Sequence, residues 1–356
     1  MKKKITIIGA IIVILTAGFF IAKPFIIDKA LLSQAENLGD RFRYDLLKDG
    51  KMHVITIGTG SPIANAKRAQ PSTAIIADGV FIIIDAGTGS ATKADLQGLP
   101  LSDLDAVFIT HFHSDHIADL PLLASKGWRY GRTTTLPVYG PVGTSKVVDG
   151  FNQAYRFDKT YRYKNIKGYA LSIKKAEPYA QEITTPGPTE KKLVRTFKNG
   201  LKVYAFTVEH APVKPAFGFR VEYKGKSIVV SGDTRFTENM VIQSKDADLL
   251  IHEANNFALL NHLSKLVGDR KSKTLQALKV MAKKIQKYHT SPVQAATIAS
   301  RAKVKKLVFN HIDPPLGPYL IRKLVTEPFF MKGVSDVYKG EVIISEDGMH
   351  FQFKLD

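Results

Sequence analysis

The chain has 356 residues, 44% of them hydrophobic and 23% charged, with 26 Gly and 17 Pro scattered rather than tandem. That composition buries a sizeable core and excludes a disordered, collagen-like or peptide-sized product. Cysteine is absent, which excludes disulfides, thiol nucleophiles and thiolate metal sites, so any metal must be held by His, Asp or Glu. Lys and Arg number 51 against 32 acidic residues, a net charge of +19, with 12 basic against 5 acidic residues between 141 and 200 and 12 against 1 between 261 and 306. Two basic faces follow, suited to an anionic substrate or partner, or to anionic lipid.

Lys2, Lys3 and Lys4 precede an uncharged run from Ile5 to Ala22, closed by Lys23 and Pro24. As a helix this run spans about 27 Å, close to the hydrocarbon thickness of a bilayer. No small-x-small pattern closes it, so residues 1–28 read as a membrane anchor ahead of the alternative of a cleaved export signal, and the flanking lysines place the remainder outside the cytoplasm. The expected location is extracytoplasmic, on the inner or plasma membrane, or secreted or periplasmic after cleavage. Residues 29–50 read as a connector and 51–356 as one domain.

Strands are predicted at Met52–Ile57, before the turn-forming Gly58–Pro62, at Val80–Ile84, ending at Asp85, and at Ala106–Thr110, ending at His111. A helical pattern follows over 117–126 and a strand over Leu136–Tyr139. From about 127 to 200 the chain is aromatic, basic and turn-rich without a long amphipathic helix, and reads as an insertion; Trp128 and its neighbouring aromatics there suit either a substrate entrance or a supporting apolar patch. Strands return at Leu201–Val208, Phe217–Glu222, Ser227–Val230, just before Asp233, and Asp248–Ile251, reaching His252 and Glu253. Leu275–Ile285 is helical by periodicity, Ser291, Pro292 and Gln294 form the N-terminal cap of another helix, and Lys306–Asn310 is a strand ending at His311. Polar residues at successive strand ends are placed to converge at one sheet edge.

His111, His113, Asp115 and His116 lie within six residues directly after a strand, a set that makes a poor apolar core and a good metal loop. His111 and His113 can face one ion while Asp115 and His116 face a neighbour; His210, Asp233 and His311 supply further ligands, and Asp233 can bridge because it offers one oxygen to each ion. Imidazole and carboxylate without thiolate suit two divalent ions, zinc first, with manganese or iron as alternatives. Such a pair lowers the pKa of a bridging water. His53, His262 and His350 have no comparable context and are expected to be structural or at the surface.

The motif THFHSDH at 110–116, with Asp85, His210, Asp233 and His311 in order, resembles the metallo-β-lactamase superfamily over about residues 51–325. The resemblance implies an α/β fold, a four-layer αββα sandwich with an inserted basic segment. It implies that His111, His113 and His210 hold one metal, that Asp115, His116 and His311 hold the other, that Asp233 bridges them, and that Asp85 orders the loop from behind the ligands. SGDTR at 231–235, LLIHEAN at 249–255 and YHTSP at 288–292 resemble the ribonuclease Z and arylsulfatase-like branch. That branch implies that Glu253 orients or exchanges a proton with His289, which assists the leaving oxygen, that Asp115 acts with them in catalysis, and that His252 supports the site.

The expected activity is metal-dependent hydrolysis of an anionic small-molecule ester, a phosphodiester or an aryl sulfate, because two metals and a basic surface both favour anionic substrates. RNA cleavage of the ribonuclease Z kind is the alternative set lower, since the threonine expected at the end of the HEAT motif is Asn255, the glycine- and proline-rich tRNA-clamping arm is not recognisable between His116 and His210, and the expected anchor removes the domain from cytoplasmic RNA. β-Lactam or lactone hydrolysis and a non-enzymatic, membrane-anchored binding module are the remaining alternatives. The state of assembly is not legible.

Overall fold

Alternation of apolar side chains along short strands builds the protein, and each strand's two faces serve different layers. The computed structural model describes residues 2–165, 172–315, 317 and 319–355. It divides into a first unit, residues 1–43, and a second, residues 44–356. In the second unit the first half of the chain supplies β1 (Lys51–Gly58), β2 (Ser72–Ala77), β3 (Val80–Ile84), β4 (Ala106–Phe108), β5 (Pro137–Gly140) and β6 (Tyr179–Glu182). The second half supplies β7 (Lys191–Thr196), β8 (Lys202–His210), β9 (Val213–Tyr223), β10 (Lys226–Val230), β11 (Leu249–Asn255), β12 (Lys306–Asp313) and β13 (Glu341–Ile344), after which β14 (His350–Lys354) returns to pair with β1.

Two seven-stranded mixed sheets result, in the orders β14-β1-β2-β3-β4-β5-β6 and β13-β12-β11-β10-β9-β8-β7. Ile82 and Ile84 of β3 face the second sheet and join Phe217, Phe219 and Val221 in the central core. Phe81 and Ile83 face the other way, against Ala91, Ala94, Leu120 and Leu123 of the outer helices. The second sheet repeats the device, with Leu250, Leu307 and Phe309 packed outward on Ala295, Ile298 and Ala299 of the helix Pro292–Arg301. Both faces of the central strands are therefore dry, which is why they read as nearly continuous apolar runs. These are the four layers of the αββα sandwich.

The basic segment 127–200 is woven into the sheets as well as decorating them. It contributes β5, β6 and β7 at the sheet edges, and it contains the helices Thr144–Ala154 and Arg156–Asn165 where no long amphipathic helix was expected. Gly150 interrupts the periodicity of the first helix, and the second is too polar to show an apolar stripe. Trp128 is wholly buried and donates its indole N–H to the Ser172 carbonyl at 3.1 Å, so it supports the fold rather than lining an entrance. His53 is also buried, bonded to His350 at 2.9 Å and to Asp49 at 2.8 Å; His262 is exposed.

The helix Lys2–Asp40 contains the segment expected to be an anchor. Among the described residues no helix is long and apolar enough to cross a membrane; of the expected span 5–22, the side chains of residues 5–15 and 17 lie outside those described.

Phe108 closes the central core directly beneath the His111 loop. Its ring stacks on Tyr139 at 4.9 Å and meets Phe219 of the opposite sheet edge-on at 5.5 Å. Phe108→Ala is expected to lower unfolding free energy by about 3–5 kcal/mol, read from urea denaturation against the parent chain.

Candidate metal centre

Abrupt strand ends deliver the polar residues to one edge of the sandwich. After β3, Asp85 takes a left-handed conformation, φ 61°, that turns its carboxylate back under the next loop. There it accepts hydrogen bonds from the Thr110 backbone N–H at 2.8 Å, from the Thr110 hydroxyl at 2.9 Å and from His116 Nδ1 at 2.8 Å. A donor at Nδ1 fixes the His116 tautomer and leaves Nε2 free to bind a cation. The loop is further tied by Ala86 N–H to the His116 carbonyl at 2.7 Å, while the Thr110 carbonyl accepts from Phe217 N–H of the other sheet at 3.0 Å. A Cβ at Gly87 would collide with the Asp115 carbonyl, so glycine is required where the loop crosses the end of β3.

From the second sheet, two ligand candidates sit at irregularities in strand pairing. The register of β8 with β9 shifts between Val208 and His210. On β12, Asn310 pairs with Glu253 and Ile312 with Ala254, leaving His311 as an extra residue with φ 48°. A bulge of this kind bends the strand and re-aims its side chain. His210 Nδ1 donates to the Tyr288 carbonyl at 3.1 Å, which presents Nε2 to the centre.

Two groups of side chains converge. His111, His113, His210 and Asp233 bring ligand atoms within 4.8 Å of one another, as do Asp115, His116 and His311. Asp233 lies between the groups: Oδ2 is 3.9 Å from His111 Nε2, 3.8 Å from His210 Nε2 and 3.2 Å from His311 Nε2, while Oδ1 is 3.4 Å from His116 Nε2. Asp115 Oδ2 stands 3.4 Å from His116 Nε2 and 3.3 Å from His311 Nε2. Ligand atoms each about 2.0–2.1 Å from one tetrahedral zinc ion stand about 3.4 Å apart, so these spacings fit. The buried His116 Nε2 and Asp233 Oδ1 have no hydrogen-bond partner, which a cation between them would correct. Every residue expected at the two metal positions is thus brought to the centre, and only His113 among them is exposed, marking the open side.

The electrostatics agree. Burial works against charge on His116 and His311, yet Asp233, with Asp85 beside the first and Asp115 beside the second, raises both imidazoles well above the ordinary value. Burial likewise opposes ionisation of Asp115 and Asp233, but hydrogen bonds and charge from His116 and His311 hold both carboxyls far below the usual range. At His111, His113 and His210 burial outweighs the charge of the same Asp233 and lowers all three, keeping them neutral as metal ligands must be. Two ionised carboxylates with three neutral imidazoles, and two further imidazoles whose protons a bound metal would displace, form a cation site.

Glu253 and His289, 36 residues apart in sequence, form a buried pair with Oε2 and Nδ1 2.7 Å apart. His289 also belongs to a third convergent group with Asp233 and His311, so its ring borders the centre. Burial opposes its charge, but Glu253 raises it above the ordinary imidazole value. Residues whose roles sequence reasoning missed hold this pair. The Thr234 backbone N–H donates to Glu253 Oε1 at 2.5 Å, Asn255 Nδ2 donates to Oε2 at 2.8 Å, and the Thr290 hydroxyl donates to the Thr234 carbonyl at 2.5 Å. Their one sequence signal is position within the SGDTR, LLIHEAN and YHTSP runs. His252 stands behind the site and outside the three groups, its Nδ1 donating to the Glu253 carbonyl at 2.8 Å.

Fold and centre together define a metal-dependent hydrolase. The sequence profile of the beta-lactamase superfamily domain matches residues 81–312, and the chain belongs to that metallo-β-lactamase superfamily, in its ribonuclease Z-like branch. A ribonuclease Z from Mycolicibacterium gilvum (strain PYR-GCK) is 32% identical over 274 residues, 75% of this chain and 86% of that relative. A second, from Mycobacterium bovis, is 31% identical over 277 residues, 75% of this chain and 88% of that relative. Among solved structures, human tRNase Z, short form, aligns with a TM-score of 0.59 at 22% identity over 84% of this chain and 98% of its own, and so shares the fold.

Replacing Asp233 by Ala removes an oxygen from each group at once. The variant is expected to lose both bound ions, whereas Asp85→Asn, which leaves every ligand in place, is expected to weaken binding by about 10–100-fold; metal analysis by mass spectrometry after dialysis checks both.

Proposed function

We propose that the chain is a two-metal phosphodiesterase that cleaves RNA in the manner the name ribonuclease Z describes, with His111, His113 and His210 holding one ion, Asp115, His116 and His311 the other, and Asp233 bridging. Bound divalent ions at such a centre acidify water and offset charge on phosphoryl oxygens. The observation that carries the reading is the Glu253–His289 pair set against Asp233 and His311. A general acid at that place serves an ester whose leaving group is a poor one, such as the ribose hydroxyl released from an RNA phosphodiester.

The chain's own groups then have separable tasks. Glu253 holds its partner's Nδ1–H and leaves Nε2 to hand a proton to the departing oxygen. Because Glu253 raises the imidazole, a protonated population persists above the ordinary histidine range. Thr234 and Asn255 keep the carboxylate from turning away. Asn255 supplies the donor for which a threonine was expected, so this departure from the family motif keeps a hydrogen bond to Glu253. Basic residues outside the centre attract polyanions without reading sequence.

Two results test the reading. Zinc-loaded protein is expected to shorten a 3′-extended tRNA-type transcript faster than it hydrolyses a small aryl phosphodiester or an aryl sulfate at equal concentration; an aryl sulfate preference would transfer the centre to sulfate esters. His289→Ala is expected to keep both metals while turnover of an unactivated phosphodiester falls by about 10²–10⁴-fold, with a smaller loss on a nitrophenyl ester. In Glu253→Gln the imidazole loses its raised pKa, so the alkaline limb of the rate profile should move to lower pH.

A further inference from the structure

The segment between Asn255 and His289 contains two helices, Phe257–Val267 and Lys273–Ile285. They pack on one another through Leu260, Ala282 and Ile285. The sides turned away from that seam are apolar and open: Leu263 is 42% exposed, Leu266 56%, Val280 51% and Met281 36%. Residues 257–287 also carry eight Lys or Arg against the single acid Asp269. A second open apolar stripe lies on the helical stretch 319–331, where Leu320 is 69% and Leu324 76% exposed; Arg322 and Lys323 beside it are paired with Glu327 and Glu346, so the free basic charge comes from the hairpin. The two features are neighbours, because Phe257 and Ala258 at the base of the hairpin and Phe329 and Phe330 of the stretch line the same cavity of about 420 Å³.

We propose that the hairpin 257–287 and the stretch 319–331 form a docking face for an anionic phospholipid surface, with Leu263, Leu266, Val280 and Leu324 entering the headgroup–acyl boundary while the lysines meet lipid phosphates. The occupant follows from combining the two properties. Polyanionic RNA complements the lysines but offers leucines no apolar phase, whereas basic amphipathic helices lying in the plane of an anionic interface satisfy both. A second copy of the chain would cover the leucines but set one strongly basic face against another. The hairpin part of the face begins two residues after Asn255 and ends one residue before Tyr288, adjoining the Glu253–His289 pair without contributing to it. The inference is independent of which ester the centre cleaves.

The chain's single tryptophan, Trp128, is wholly buried, so a tryptophan placed on the face reports alone above a constant background. Leu266→Trp and Leu324→Trp are made separately in the full zinc-loaded chain and titrated with phosphatidylglycerol–phosphatidylcholine vesicles, with phosphatidylcholine vesicles, and with duplex RNA. Expected are a blue shift and quenching by acyl-chain-brominated lipid at both positions with the anionic vesicles only. Lys283→Gln and Lys284→Gln in the Leu266→Trp background should each weaken partitioning about five-fold. Vesicle-bound protein with neither tryptophan shifted would overturn the proposal, since another part of the chain would then be the contact. So would absence of vesicle binding, a shift with RNA instead of lipid, or a lipid-free shift that grows with protein concentration, which would mark a contact between copies.

Discussion

Asp233 is the constraint around which the site is arranged. Its carboxylate is buried among the imidazoles of His111, His116, His210 and His311, with Oδ1 lacking any hydrogen-bond partner. The nearest cationic neighbour of Oδ1 is His116 Nε2 at 3.4 Å, too poorly placed for a hydrogen bond, so part of the cost of burying the charge is not offset. A divalent cation held by these residues would offset that cost, and Asp233 offers one oxygen toward each group of ligands. The left-handed Asp85, the glycine beneath Asp115 and the bulge at His311 each help place a ligand about that carboxylate. Strained backbone of this kind persists where the surrounding structure over-determines it, and here the two sheets do so by meeting at the Thr110 carbonyl.

The Glu253–His289 pair rests on a different principle, satisfaction of a buried carboxylate by many weak partners. Glu253 receives a backbone N–H, an amide and an imidazole, so its geometry is fixed before any substrate arrives. Preorganisation of that sort would let the imidazole serve in the proposed proton transfer without reorienting. Asn255, where threonine was expected, contributes its amide N–H to this set.

Sequence reasoning reached the centre because its residues sit where chain pattern changes: an apolar strand stops and a histidine or aspartate begins. Asp85, His111 and Asp233 each follow such a stop. The central strands were legible for the same reason, since a run dry on both faces is continuous in sequence. What was not legible depends on pairing between distant segments. The bulge that turns His311 inward exists only against Glu253 and Ala254, and β2 follows the Pro71 loop so closely that its apolar run reads as part of a turn. Edge strands such as β7, Lys191–Thr196, are mostly exposed and polar, and their register with β8 is set by a neighbour they cannot announce. The hairpin's first helix, Phe257–Val267, was not read from the sequence; it is a short amphipathic element whose apolar side extends past the packed Leu260 to the exposed Leu263 and Leu266.

That excess of apolar surface has a structural setting which lets it exist. Glu253 and His289 flank the hairpin in sequence and touch in space, and the chain on either side is pinned by Asn255 N–H to the Thr290 carbonyl at 2.9 Å and by Asn256 N–H to the Asp313 carbonyl at 2.7 Å. Closing a connection between two fixed points costs little more when the connection is long than when it is short. The segment between the pins can therefore carry a surface of its own chemistry without moving the catalytic pair. A ligand on the hairpin would act on approach to the centre, through what it brings near Tyr288 and the open side at His113, and not on the positions of the metal-facing atoms.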